Sequence, residues 1–139
     1  QCGYCYYNCP IVSFDLEKAE MDEFGSVAED EIGHIIGAYM AQATDEDILR
    51  NAQRGGVATA LLKYMLEKGM IDAAVGVTTT NHPAWKPKPI VITRPKNLWM
   101  MQKAKYTPAA TVIGVNSAIH EWNCPRIAVV ATPCQIHGL

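Results

Sequence analysis

The stretch Val57-Ala-Thr-Ala-Leu-Leu-Lys-Tyr-Met-Leu-Glu-Lys-Gly-Met-Ile-Asp-Ala-Ala-Val-Gly-Val77 carries two hydrophobic periods in succession, and their order decides the fold. Val57, Leu61 and Met65 recur at a helical spacing beside Ala58, Leu62 and Leu66, which predicts a helix with a wide apolar stripe. Gly69 supplies its C-terminal stop. Met70 to Val77 is then almost continuously apolar, the pattern of a strand covered on both faces. A helix feeding a doubly covered strand implies an α/β fold, a mixed sheet flanked by helices.

Working outward, Thr44-Asp45-Glu46-Asp47 sets a capping oxygen and first-turn acids ahead of Ile48, Leu49 and Ala52, predicting a short helix that Arg54-Gly55-Gly56 breaks. Further upstream, Ile32 to Met40 holds enough β-branched and aromatic residues to predict a first strand. Downstream, Pro83, Pro87 and Pro89 predict a loop over 78–89. A short strand is expected at Ile90–Thr93 and a helix from Pro95 through Leu98 to Met101. Val112, Val115, Ile119 and Trp122 repeat at three and four, predicting a helix over 109–122. It leads to Ile127-Ala-Val-Val-Ala, a strand that stops on Thr132-Pro133 and presents Cys134 at its carboxyl end.

The chain has 139 residues, is 49% hydrophobic and carries a formal charge of -2, enough for one core and against a generic nucleic-acid surface. No apolar run is long enough to span a bilayer and no basic-then-apolar leader is present, so a soluble, cytoplasmic protein is expected. It does not begin with Met and opens inside a cysteine motif, as a piece of a longer polypeptide would. Residues 13–31 include Asp15, Glu17, Glu20, Asp22, Glu23, Glu29, Asp30 and Glu31, a solvated acidic connector with one short helix.

Cysteine carries the chemistry. There are five, an odd number, and three of them crowd the first nine residues, which favours metal in a reducing compartment over a disulfide framework. Cys2-x2-Cys5-x3-Cys9-Pro10 matches the last three cysteines of the bacterial ferredoxin run, whose short spacings wrap thiolates around an iron-sulfur cubane. Zinc also takes Cys-x2-Cys, but usually with a second such pair or a His pair about a dozen or more residues on, and none follows. At the other end, Cys134 stands where open α/β sheets bind ligands, outside the carboxyl end of a strand. There it is either a soft metal ligand or a small buried apolar residue. Cys124 fits no motif and is expected to be structural. His34, His82, His120 and His137 lack metal spacing and are expected on the surface or in the core; His137, three residues after Cys134, is the one to watch.

Two non-cysteine features remain. Gln53-Arg54-Gly55-Gly56 ahead of a helix is either a hinge or a seat for an anion at the positive end of the helix dipole. Lys105-Tyr106-Thr107 offers a cation, a ring and a hydroxyl in one loop, suited to a phosphate and a flat ring system, or else is simply exposed.

Taken in order, Gln53 to Leu62, Trp85-Lys86-Pro87-Lys88-Pro89, Lys105-Tyr106-Thr107 and Thr132-Pro133-Cys134-Gln135 resemble the coenzyme F420 hydrogenase/dehydrogenase beta-subunit family over about residues 44–139. The resemblance implies an FAD-containing iron-sulfur subunit that exchanges hydride with the deazaflavin coenzyme F420 and passes electrons through 4Fe-4S clusters. Partners would be a hydrogenase, a formate dehydrogenase or another redox subunit. By motif, Gln53, Gly55, Gly56, Lys105, Tyr106, Thr107 and Pro133 would hold the cofactor. Cys134 would ligate the family's own 4Fe-4S cluster, its other ligands lying beyond Leu139, and Cys2, Cys5 and Cys9 would hold a ferredoxin-type cluster. The hydride itself needs no general acid from side chains, and no catalytic acid or base is assigned. Residues 1–12 would then be the end of a ferredoxin-type motif, a truncated ferredoxin-like cysteine loop; 13–43 would be connector and first strand, and 44–139 the incomplete beta-subunit domain, inactive alone. Two other readings stay open: a same-family, ferredoxin-dependent reductase of another substrate, and a non-catalytic zinc-bound module that docks a partner through its acidic stretch.

Overall fold

The computed structural model describes residues 2–80 and 85–139, apart from the Cys5 side chain. His82 and Pro83 lie outside the described residues. The chain divides into two compact units, residues 1–40 and Ala41–His137.

The first unit is helical. Two single-turn helices, α1 (Tyr4–Tyr7) and α2 (Pro10–Ser13), flank Cys9, and proline stands at the first position of α2, where its missing N–H costs nothing. The acidic stretch forms α3 (Leu16–Phe24), capped by Asp15, whose carboxylate accepts the Lys18 N–H at 3.0 Å. After Gly25 the chain folds back on this helix: Glu20 accepts the Ala28 N–H at 3.0 Å, and His34 stacks on Phe24 with centroids 4.3 Å apart. The strand predicted over 32–40 does not form. Asp30 bends the chain by accepting the Ile32 and Gly33 N–H groups, and Ile35, Ile36 and Tyr39 remain exposed. β-branched residues favour strands only where a sheet face receives them, and these residues meet none.

The second unit is the α/β body. Helix α4 (Glu46–Asn51) starts on Asp45 rather than Thr44, with Asp45 Oδ1 accepting the Asp47 and Ile48 N–H groups at 3.0 and 3.2 Å. The other carboxylate oxygen pairs with Lys63 Nζ at 2.5 Å, tying α4 to α5 (Val57–Glu67). Between them Gly56 stands at φ 69°, and a Cβ there would lie 2.8 Å from Ile48 Cγ2; one on Gly55 would lie 2.6 Å from the Ala41 carbonyl. Glycine at both positions therefore lets residues 41–43 and α4 close onto the turn.

The sheet has the order β2-β1-β3, with β1 (Ala73–Thr79) antiparallel to β2 (Pro87–Ile92) and parallel to β3 (Ile127–Val129). It is the mixed α/β sheet the sequence implied. Ala74 and Ile92 face Leu62 of α5 and Leu98 of a 3-10 helix (Pro95–Met101), while Val75 on the opposite face meets Val115 and Ala118 of α6 (Thr111–His120). Ala73, Ala74 and Val75 have no exposed surface, as a strand sandwiched between helices requires. Helix α7 (Pro133–His137) closes the described chain. Among the described residues no helix is long and apolar enough to cross a membrane.

Three elements of this second unit also depart from expectation. β1 begins at Ala73, because Met70 folds back to donate its N–H to the Met65 carbonyl at 2.9 Å. β2 begins within the expected loop, at Pro87. The Thr80 N–H donates to the Lys86 carbonyl at 3.0 Å, so residues 86, 88 and 90 bond toward β1 while the nitrogens of Pro87 and Pro89 point to the outer edge, where no donor is needed. Helix α6 buries Thr111, Gly114, Val115 and Ala118, leaving Val112, Ile119 and Trp122 outside. A Cβ at Gly114 would sit 2.9 Å from Val75 Cγ1 and 3.1 Å from Pro89 Cβ, so close approach to the sheet selects the small residues, not the large ones.

An ion pair unmarked by any motif fastens the near ends of β1 and β3. Arg126 Nη2 donates to Asp72 Oδ1 at 2.7 Å, its Nε and backbone N to Oδ2 at 3.2 and 3.0 Å, and its Nη1 to the Gly69 carbonyl at 2.8 Å. The planar fork of arginine suits this two-oxygen contact. Cys124 is buried, as expected, and its thiol lies 3.5 Å from the Trp122 carbonyl.

Candidate functional site

The parallel pair β1 and β3 point their carboxyl ends the same way, and the loop over 102–109 runs across that end. Three hollows open around this loop. One of about 950 Å³ is walled by Thr78, Thr79, Trp85, Trp99 and Tyr106; one of about 640 Å³ lies between Lys105, Tyr106, Thr107 and Cys134; one of about 510 Å³ reaches Gln53, Gly55, Gly56 and the start of α5. Lys103 and Ala104 border all three.

The two motifs singled out in sequence meet here. Gln53 Oε1 accepts the Ala104 N–H at 2.8 Å and Gln53 Nε2 donates to Tyr106 Oη at 2.9 Å, so one carboxamide ties the glycine turn to the Lys-Tyr-Thr loop across about fifty residues of sequence. Lys105 is half-buried, with Nζ donating to the Gln102 carbonyl. Burial, reinforced by the neighbouring Lys103 charge, lowers its pKa from the usual lysine value, so this ammonium stands where an anion would be welcome. The Thr107 N–H turns back to the Lys105 carbonyl at 2.7 Å, which leaves the Tyr106 ring projecting, 88% exposed. Helix α5 begins at Gly56 with no side-chain cap, so the amides of its first turn remain for another acceptor.

Cys134 is the second residue of α7, half-buried, with Sγ 3.3 Å from Thr132 Oγ1; Pro133 begins the same helix and is exposed. Gln135 holds this helix to the loop, its Nε2 donating to the Ala109 carbonyl. In the first unit Cys2 is an exposed free thiol and Cys9 a half-buried one. Among the described residues no three His, Cys, Asp or Glu side chains gather as a metal site. His120 closes the last turn of α6 and His137 that of α7, away from any such cluster.

Sequence reasoning missed three neighbours of the loop. Gln102 Oε1 is buried with no hydrogen-bond partner among the described residues. Lys103 stands at φ 67°, a conformation a non-glycine residue keeps only where its surroundings hold it. Trp99 adds a ring to the wall of the largest hollow. Only proximity to Lys105 could have flagged the first two.

These features test the fit of a flavin dinucleotide. Adjoining hollows with an aromatic wall, a half-buried cation, an uncapped helix start and an orphaned buried acceptor suit a ligand with a flat ring, phosphates and N–H or O–H donors. For an iron-sulfur cluster the chain offers thiols of the right chemistry, yet only Cys134 borders the cleft among the described residues.

The family described as coenzyme F420 hydrogenase/dehydrogenase, beta subunit N-term, matches residues 38–117. The chain is 34% identical over 109 residues to the coenzyme F420 hydrogenase subunit beta of Methanothermobacter thermautotrophicus, an alignment covering 76% of this chain and 38% of that one. It is 40% identical over 137 residues to the coenzyme F420-dependent sulfite reductase of Methanocaldococcus jannaschii, covering 99% of this chain and 19% of the reductase. Among solved structures, a chain of the F420-reducing [NiFe] hydrogenase complex from Methanosarcina barkeri superposes with a TM-score of 0.65 at 29% identity, covering 78% of this chain and 38% of that one. The chain thus spans well under half the length of the curated relatives it matches.

Proposed function

The chain belongs to the coenzyme F420 hydrogenase/dehydrogenase beta-subunit family, and on that premise we propose that it is the flavin-holding part of an oxidoreductase subunit exchanging hydride between FAD and coenzyme F420. Electrons would pass on through 4Fe-4S clusters. The observation that carries this reading is the Gln53 bridge, which joins the glycine turn to the Lys-Tyr-Thr loop among the three hollows at the carboxyl end of the sheet.

In this reading the first-turn amides of α5, reached over Gly55 and Gly56, and the Lys105 ammonium bind the phosphates. Tyr106 and Trp99 pack against planar rings, Thr107 offers a hydroxyl, and Pro133 sets the start of the helix that carries Cys134. A bound flavin supplies hydride acceptance and single-electron release; the chain's residues bind it, orient it and screen it from water. Cys2, Cys5 and Cys9 are assigned to a ferredoxin-type cluster within residues 1–12, on their spacing alone. Residues 13–43 are assigned as connector and 44–139 as the flavin-holding region. Cys134 is assigned as one ligand of a further cluster completed by other parts of the protein. The partner would be a hydrogenase, formate dehydrogenase or other redox subunit, and free thiols suit a reducing cytoplasm.

The 40% identity to an F420-dependent sulfite reductase favours a second reading, in which the same flavin region feeds a reductase of a sulfur compound. Anaerobic purification of the intact protein, with flavin, iron and sulfide assays and with bleaching of F420 as readout, tests the proposal. Bound FAD, sulfide and hydride exchange with F420 are expected. A colourless, sulfide-free protein refutes it, and stoichiometric zinc in place of iron points instead to the docking module. Flavin and clusters without F420 exchange move the assignment to a reductase with another electron source.

A further inference from the structure

The hydrogen bonds of Gln53 fix more than the position of the loop; they fix the direction of a proton. A backbone N–H can only donate, so the Ala104 N–H must face the carbonyl oxygen of the Gln53 amide, at 2.8 Å. That leaves the NH2 group facing Tyr106 Oη at 2.9 Å, and an NH2 group can only donate as well. The phenol oxygen is therefore the acceptor of this bond, and its own O–H hydrogen is turned away from Gln53. With the Tyr106 ring exposed beside the largest hollow, that hydrogen is available to a ligand. Lys103 in the left-handed region and the Lys105 Nζ contact to the Gln102 carbonyl keep the intervening backbone where Ala104 meets Gln53.

We propose that Gln53 is a positioning residue that commits Tyr106 to act as a hydrogen-bond donor toward an acceptor oxygen, carbonyl or phosphate, of the cofactor in the cleft. This deepens the FAD reading above and rests on it. Gln53 then acts through Tyr106, both of its own polar atoms being engaged by the chain.

The two readings of Gln53, as a direct ligand or as a director of Tyr106, separate in a double-mutant cycle on the intact protein. Gln53→Glu keeps an acceptor for the Ala104 N–H but replaces the NH2 donor by a carboxylate oxygen, which draws the Tyr106 hydrogen toward itself. Tyr106→Phe removes the hydroxyl outright. Each is expected to raise the FAD dissociation constant about tenfold near pH 7, the worth of one hydrogen bond. The double variant is expected to be no weaker than the worse single one, since both remove the same donor. As pH falls toward the ordinary glutamate pKa of about 4.3, the Gln53→Glu defect relative to native protein should shrink, because a protonated carboxyl again donates to Tyr106; the Tyr106→Phe defect should not. Additive losses would mean that the new charge or a direct contact of Gln53 is what the cofactor feels, and would overturn the proposal. So would native affinity in Tyr106→Phe, a conservative change that stands as the test even if Gln53→Glu melts early. Native protein that takes up no FAD overturns the underlying reading and this inference together, whereas native affinity with unaffected variants overturns this inference alone.

Discussion

Gly114→Ala sets two opposed effects against each other, and the structure decides the sign. In an exposed helix the change would stabilise by about 1 kcal/mol, the propensity gap between glycine and alanine. Here the added Cβ would meet Val75 Cγ1 at 2.9 Å and Pro89 Cβ at 3.1 Å, well inside ordinary van der Waals contact. Neither neighbour yields readily. Val75 has no exposed surface and a β-branched side chain with a stiff first torsion, and Pro89 is a rigid ring whose backbone is paired to Val77. Relief requires α6 to lift from the sheet by several tenths of an ångström, loosening the Val115 and Ala118 contacts that bury Val75. With both contacts this short and neither neighbour flexible, overpacking falls in the upper part of its usual range, about 2–3 kcal/mol, so after the propensity gain the net loss should be about 1–2 kcal/mol. For a unit of this size that corresponds to a fall in Tm of roughly 4–15 °C. Denaturant titration of the intact protein, followed through a signal of the Ala41–His137 unit, should show a lower midpoint with unchanged slope. A variant as stable as the native protein, or more so, would refute the close approach of α6 to β1 and β2.

Other perturbations follow from the same contacts. Arg126 hydrogen bonds hold the Asp72 carboxyl below its usual pKa, and those from Lys63 and the Ile48 amide do the same for Asp45. A lowered carboxylate pKa stabilises the fold above the unfolded value of about 3.9 and loses that contribution as pH falls through the folded value, so melting temperature should drop in that acid range. In Asp72→Asn the drop should be shallower, with a lower starting point at neutral pH. Lys105→Met removes a cation that burial already disfavours, so thermal stability should hold or rise slightly while FAD affinity falls about tenfold; unchanged affinity would remove Lys105 from the phosphate site. Cys134→Ser should lower iron and sulfide content but leave flavin content unchanged, and full iron retention would show that this thiol ligates nothing.

The fold was legible wherever burial was two-sided. The stretch over 57–77 announced a helix and a sandwiched strand because both patterns come from the same apolar residues that later make contact. Where the environment, and not the residue, decides, the reading failed. Ile32–Met40 has strand-forming side chains but no sheet to receive them. Pro87 and Pro89 read as loop because an edge strand, unlike a central one, tolerates missing donors on its outer side. In α6 the large side chains Val112, Ile119 and Trp122 drew the eye, while the sheet took Gly114 and Ala118. At the candidate site the residue types were visible, Gln53 and Tyr106 among them. The bond joining them was not, since nothing local foretells a contact between residues 53 positions apart. Gln102 and the left-handed Lys103 were invisible for a similar reason: their significance lies in burial and backbone angle.

The proline pair in β2 has a further consequence for how the sheet can be extended. With the nitrogens of Pro87 and Pro89 directed outward, that border lacks the donors of both positions and is blunted as a template for another strand. Extension is thereby biased to one side: among the described strands the margin with its donors intact is Ile127–Val129, from which the chain runs on to Cys134.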